Sequence, residues 1–258
     1  MTRSAVLAGD VGIGIERTLT QSQYLIWLGQ KLHPDEPLYN MVHAFTIHGP
    51  IERLAFQQSF QMLVNKSDAL RTVIHEQNGA PLQRVVADFP FAVEWIDLSS
   101  NPDPSAEFER WLEQGQLHIF DLEQRLFDSV LVKLAADHFV WHLNIHHLIA
   151  DVVSFALIYR RMGEFYGLAL AGNLDQAPDL PAYQDFLEAD RAYVTSAAFE
   201  NARQYWLSRL ATPLEPTDFY GKRQVATGRP RAERLTVALG AERTARLHQV
   251  AQEKECAH

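Results

Sequence analysis

Hydrophobic residues along this chain follow two rhythms, and the switches between them mark its elements. Ile51, Leu54, Phe60, Leu63 and Val64 fall at helical spacing and predict a helix over 51–64. The stretch 18–33 also reads as a helix, with Thr20 as N-cap ahead of Leu25, Ile26 and Leu28. Residues 139–145 alternate instead. Phe139, Trp141, Leu143 and Ile145 stand on one face of a strand, with His142, Asn144 and His146 on the other. That strand, 138–146, follows one over 127–134, and further strands are expected over 40–47, 70–75, 82–86 and 91–96. A helix is expected over 105–117, and a long one over 152–171 ends at the stop signal Gly172-Asn173. Helices over 182–193 and 197–210 come next. A connection rich in Pro, Gly and charge (212–231), a short strand (234–239) and a last helix (241–257) complete the chain. Strands and helices intersperse without a regular βαβ rhythm, so the fold class is α/β in its α+β form, a mixed sheet with flanking helices.

Composition narrows the function classes. The 258 residues are 47% hydrophobic and 21% charged, enough for a sizeable core in one large domain or two small ones. No apolar run reaches the length of a membrane span, and the short patch Ala5-Val6-Leu7-Ala8, closed by Asp10, is no signal peptide. With Cys256 the single cysteine, neither an internal disulfide nor a cysteine metal cluster can form, and a cytoplasmic setting is expected. The net charge of −9 argues against nucleic acid or anionic lipid as partner. Arg160-Arg161 and Lys222-Arg223 are local basic pairs, solvated surface charge first and docking points second. Asp10-Val11-Gly12-Ile13-Gly14 lacks the preceding strand and third glycine of a dinucleotide site. His33 and His75-Glu76 lack partners at metal-ligand spacing, so no metal is expected. The absence of Gly-x-Ser-x-Gly speaks against a serine hydrolase.

Chemistry concentrates at the end of the alternating strand, in His146-His147-Leu148-Ile149-Ala150-Asp151. By parity His147 continues the apolar face where the strand stops. An imidazole there is expected to be partly desolvated and rigidly placed, with an ordinary pKa of about 6.5 suited to proton transfer. His146 points the other way and braces the turn. Asp151, with Ser154 three residues on, opens the long helix; it is either simply an N-cap or a buried carboxylate that pairs with an arginine from elsewhere.

The motif and its neighbours together resemble the condensation domains of nonribosomal peptide synthetases. His146-His147-Leu148-Ile149-Ala150-Asp151-Val152-Val153-Ser154 matches the family's His-His-x-x-x-Asp-Gly core except at Val152. Leu19-Thr20-Gln21-Ser22-Gln23 with Ile26-Trp27-Leu28 is similar to the first motif, and Asp68-Ala69-Leu70-Arg71-Thr72 to part of the second, although Lys66-Ser67 replaces its Arg-His. Phe120-Asp121-Leu122-Glu123 with Leu126-Phe127 resembles the segment before the core. Tyr183-Gln184-Asp185-Phe186 resembles the fourth motif, and Tyr205-Trp206 with Leu210 the stretch after it. The likeness runs from about residue 18 to the end, with the motifs in family order.

The resemblance implies a chloramphenicol acetyltransferase-like lobe, one half of a two-lobed domain with its site in a tunnel between the lobes. Residues 1–17 would be a leader, 18–211 the N-terminal lobe, and 212–258 a connection and the start of a truncated C-terminal lobe. The implied reaction joins an acyl or peptidyl thioester to an amine, each brought on the phosphopantetheine arm of a carrier protein, one from upstream and one from downstream; no cofactor is bound. His147 would be the catalytic histidine, either taking the amine proton or holding the nucleophile and stabilising the tetrahedral intermediate. Asp151 would pair with Arg71, and with His146 the two would organise the site; Val152 would line the tunnel, and Ser154 would either line it or cap the helix. Val152 puts a β-branched side chain where the family has glycine. His146 argues against heterocyclising relatives, which carry Asp there, and Phe155 against epimerising ones. With one lobe alone, the isolated chain is expected to be inactive. Two other readings share the residues: a non-catalytic docking module for carriers, and a freestanding acyltransferase.

Overall fold

The alternating segment forms the middle of a sheet, and the periodic segments become the helices that cover it. In the computed structural model, which describes residues 16–115, 118–212 and 236–254, the chain runs β1 (Arg17–Thr18), α1 (Gln21–Leu32), β2 (Asn40–His48), α2 (Arg53–Lys66), β3 (Thr72–Gln77), β4 (Ala80–Val85) and β5 (Glu94–Asp97). Then come α3 (Pro104–Gly115), β6 (Phe127–Ala135), β7 (His138–His146), α4 (Val152–Leu170), α5 (Tyr183–Val194), α6 (Ala197–Arg209) and α7 (Gly240–Glu253). The chain divides into two compact units, Met1–Arg203 and Gln204–His258, the boundary falling inside α6. Within the second unit, no residue of α7 is buried.

In the first unit, a four-stranded sheet has the order β2-β7-β6-β5, antiparallel except where β5 runs parallel to β6. It is the mixed sheet that the interspersed pattern predicts. A separate antiparallel sheet, β1-β4-β3, lies beside it in sequence order but not in the same ladder. The odd-numbered residues of β7, Phe139, Trp141, Leu143 and Ile145, are buried against Phe56, Phe60, Leu63 and Val64 of α2 and Phe155, Ile158, Met162 and Phe165 of α4. Even-numbered positions meet a second, smaller core in which Val130, Val132 and Val140 pack on Phe108 of α3. Thus β7 is covered on both faces, and on its even face Val140, Asn144 and His146 are buried rather than solvated.

Caps set the helix limits. Thr20 begins α1 with a capping box in which it accepts from the Gln23 N–H and Gln23 returns its side chain to the Thr20 N–H. Helix α4 stops at Gly172, whose φ of +71° suits glycine, while Asn173 N–H reaches back to the Leu168 carbonyl at 2.9 Å. The short strand β1, pairing Arg17 with Gln83 and Thr18 with Leu82, has no counterpart in the hydrophobic pattern. Residues 236–239, expected to end a strand, are irregular. Residues 234–235, most of the expected leader and connection, the Asp10-to-Gly14 motif, Lys222-Arg223 and Cys256 lie outside the described residues. No helix among the described residues is long and apolar enough to cross a membrane.

The core centres on Phe60, which is 0% exposed and packs its ring on Phe91, Phe127 and Trp141 at centroid distances of 5.4, 5.9 and 5.9 Å. Phe60→Ala is expected to cost about 3–5 kcal/mol in denaturant unfolding. A loss below about 1 kcal/mol would place this ring outside the cooperative core.

Candidate active site

β7 ends at His146, and the chain then turns through Ile149, whose N–H donates to the His146 carbonyl at 3.1 Å. The two adjacent histidines enter opposite environments. His146 is 1% exposed. Its Nδ1 accepts the Leu148 N–H at 3.2 Å, so the ring hydrogen sits on Nε2 and faces the Gln30 side-chain oxygen at 3.4 Å. Burial, and secondarily the neighbouring His147, push its pKa down to about 4, so the ring is neutral. It braces the turn, as its parity suggests.

His147 leaves the ladder and is exposed, not partly desolvated as the parity argument expects. The strand stops one residue before it, and the turn swings its side chain outward. Its N–H is held by the Tyr39 carbonyl at 2.8 Å, and its Nδ1 lies 2.7 Å from the Ala150 carbonyl. A carbonyl only accepts, so Nδ1 carries a hydrogen, and in the neutral ring the lone pair lies on Nε2. This is the tautomer a proton acceptor needs.

Asp151 does not meet Arg71. Asp151 is exposed, and its Oδ1 accepts from the Ser154 N–H at 2.8 Å and the Ser154 hydroxyl at 2.7 Å, while the Ser154 Oγ receives the Asp151 N–H at 3.0 Å. The carboxylate is consumed by this capping box, whose hydrogen bonds, led by the Ser154 hydroxyl, hold its pKa below the usual value. Arg71 sits at the end of the 3-10 turn after α2. There it pairs with Asp68 at 2.8 Å and donates to the carbonyls of Val86 at 2.7 Å and Ala87 at 3.2 Å. Asp68 also accepts from the Tyr183 N–H at 3.2 Å. Each charge has a nearer partner three residues away in its own segment, Ser154 for Asp151 and Asp68 for Arg71. Val152 is 72% exposed on the first turn of α4, and Ser154 is half-buried beside it.

Helix α1 supplies residues that the hydrophobic pattern misassigns. Leu25, Leu28 and Leu32 are exposed, at 66%, 38% and 70%, while Gln23, Trp27 and Gln30 are buried. Gln23 donates to the Leu148 carbonyl at 3.0 Å and to Gln83 at 3.2 Å. Gln30 faces His146 and donates to the carbonyls of His33 at 2.9 Å and Glu36 at 3.0 Å. The helix turns its amides inward because the turn after β7 offers polar groups that need partners. The sequence signal was the spacing 23, 27, 30, as regular as that of the leucines opposite.

The mixed sheet and its flanking helices are those of a chloramphenicol acetyltransferase-like fold. The chain belongs to the condensation-domain family, whose model matches residues 16–257. Among its relatives, a dimodular nonribosomal peptide synthase of Bacillus subtilis is 30% identical over 202 residues, covering 78% of this chain and 8% of that protein. An isonitrile lipopeptide synthase of Streptomyces coeruleorubidus is 28% identical over 241 residues, 93% of this chain and 16% of that protein. The crystal structure of the starter condensation domain of rhizomide synthetase aligns with a TM-score of 0.71 at 28% identity, over 78% of this chain and 49% of the solved one. The first condensation domain of the calcium-dependent antibiotic synthetase aligns with a TM-score of 0.72 at 25% identity, over 79% and 49%. The chain thus spans about half the length of these solved domains and a small part of the curated synthetases.

Two measurements test this geometry. His146 stays neutral when folded but takes up a proton when unfolded below pH 6.5, so its contribution to stability is complete above 6.5 and is lost as pH falls towards 4. The loss should reach about 3 kcal/mol in urea unfolding across that window, and His146→Gln should lack the slope. In a double-mutant cycle, Arg71→Ala and Asp151→Ala should add within about 0.5 kcal/mol, whereas Asp151→Ala and Ser154→Ala should not. Coupling between Arg71 and Asp151 above about 1 kcal/mol would show that they meet after all.

Proposed function

We propose that this chain carries the histidine-bearing half of an amide-forming condensation site. The observation that carries the reading is the exposed His147 ring, whose Nδ1–H is tied to the Ala150 carbonyl so that, in the neutral ring, the lone pair lies on Nε2. Its substrates would be an acyl or peptidyl thioester and an amine, each on the phosphopantetheine arm of a carrier protein. The amine nitrogen attacks the thioester carbonyl while Nε2 accepts its proton. The tetrahedral intermediate then collapses, the C–S bond breaks, and the departing thiolate takes a proton to leave as the free thiol. One C–N bond replaces one C–S bond, and no redox partner is needed.

Membership of the condensation-domain family and the likeness to synthetases that make peptides without ribosomes support this choice of reaction. Rate would come mainly from holding two arms end to end, an effect worth about 7–11 kcal/mol in favourable cases. A second, complementary half of the domain would supply the other wall of that channel. Val152 and Ser154, on the first turn of α4 close to His147 in sequence, would face the acceptor side. The bulk of Val152 would narrow it relative to the glycine of relatives that carry the full motif.

The experiment pairs the chain with a complementary C-terminal half and follows amide formation between loaded carriers by mass spectrometry. His147→Ala should lower turnover by about 10²–10⁴-fold and leave the melting temperature near its original value. Retention of most of the turnover would exclude His147 as the reacting base.

A further inference from the structure

The Nε2 of His147 is useful only if the ring is held in place, yet the last ladder pair between β2 and β7 joins Asn40 to His146 and stops short of it. Beyond that pair, the single main-chain tie from His147 to the β2 side among the described residues is its N–H to the Tyr39 carbonyl. The placement of Tyr39 therefore sets the placement of the reactive ring. We infer that Tyr39 is a positioning residue for His147, seated by its ring against a gap in α1 that Gly29 keeps open. This rests on the reading of His147 as the proton acceptor.

Gly29 lies inside α1 with ordinary helical backbone, so no positive φ calls for glycine there. Close approach does. A Cβ on Gly29 would stand 2.8 Å from Cζ and 2.9 Å from Cε2 of Tyr39, with the hydroxyl oxygen nearer still. No real side chain tolerates that overlap. The Tyr39 ring also packs, tilted, 6.1 Å from the His146 ring. The link between helix and strand is tied down by the next residue of α1, since Gln30 holds the carbonyls of His33 and Glu36, and Asn40 N–H closes onto the Pro37 carbonyl at 3.2 Å. One contact surface on α1 thus holds the buried histidine through Gln30 and aligns the exposed one through Tyr39.

Ring tautomer and titration are read in the chain itself by long-range ¹H–¹⁵N correlation, with the His147 signals identified by their loss in His147→Gln. The original protein should show the Nδ1–H form of His147. Tyr39→Leu, which removes the ring, should mix the two tautomers and move the titration midpoint, whereas Tyr39→Phe, which keeps it, should do neither. Gly29→Ala should reproduce the Tyr39→Leu disturbance, although alanine normally strengthens a helix. Adding Gly29→Ala to Tyr39→Leu should cause no further change, because the seat is already empty. If Gly29→Ala fails to fold, Tyr39→Leu decides alone. A folded Tyr39→Leu protein with an unaltered His147 tautomer and midpoint would overturn the inference, as would a Tyr39→Phe protein disturbed as much as Tyr39→Leu. None of these readouts needs turnover, so a failure here is separable from a failure of the proposed reaction.

Discussion

An imidazole that must stay uncharged governs the end of β7. His146 is 1% exposed, and the desolvation that holds its pKa near 4 requires each ring nitrogen to find a neutral partner inside the protein. The backbone supplies one, the Leu148 N–H two residues on, and α1 supplies the other, the Gln30 amide. Meeting that demand turns α1 with its glutamines inward and its leucines outward, the reverse of the usual arrangement for an amphipathic helix. Gln23 then reaches the Leu148 carbonyl from the same face. The turn carrying His147 is thus built on a neutral, hydrogen-bonded base.

His147 has the opposite environment, and it comes from the end of the strand. Within a strand, neighbours alternate between faces; at its end, one neighbour can leave the sheet altogether. His146 remains in the last ladder pair, while His147 follows the turn to the surface with its tautomer set by a main-chain carbonyl. Four residues past it, Asp151 closes the turn as the N-cap of α4. The site is bracketed by a two-sided strand buried in both cores and by a capped helix anchored through Phe155, Ile158, Met162 and Phe165. Short connections between two packed elements restrict the histidine without relying on an ion pair. Asp151 contributes by capping, and Arg71 by tying the end of α2 to the strands beyond it.

Much of the fold was legible because it depends on local repeats. The alternation from Phe139 to Ile145 made a strand with the expected face in the larger core, and the spacing of Phe60, Leu63 and Val64 made a helix that meets it. Thr20 and Gly172 marked helix ends, since capping uses groups within a few residues of each other. The features that were not legible depended on which surfaces meet. The leucines of α1 lie on its exposed side, and only the polar turn opposite its other face decided that. β1 has two residues, too few for any period to show, and exists through its pairing with β4.

The same division holds at the site. The sequence by itself determined that two histidines end a buried strand, that Asp151 and Ser154 open a helix, and which family this arrangement resembles, because each is a matter of spacing along the chain. The tertiary structure alone decided that His146 is buried and His147 exposed, that Asp151 caps rather than pairs with Arg71, and that Tyr39 reaches both Gly29 and His147. Those outcomes compare partners far apart in sequence, and a charge or a ring takes the nearest suitable partner in space, which only the packed chain defines.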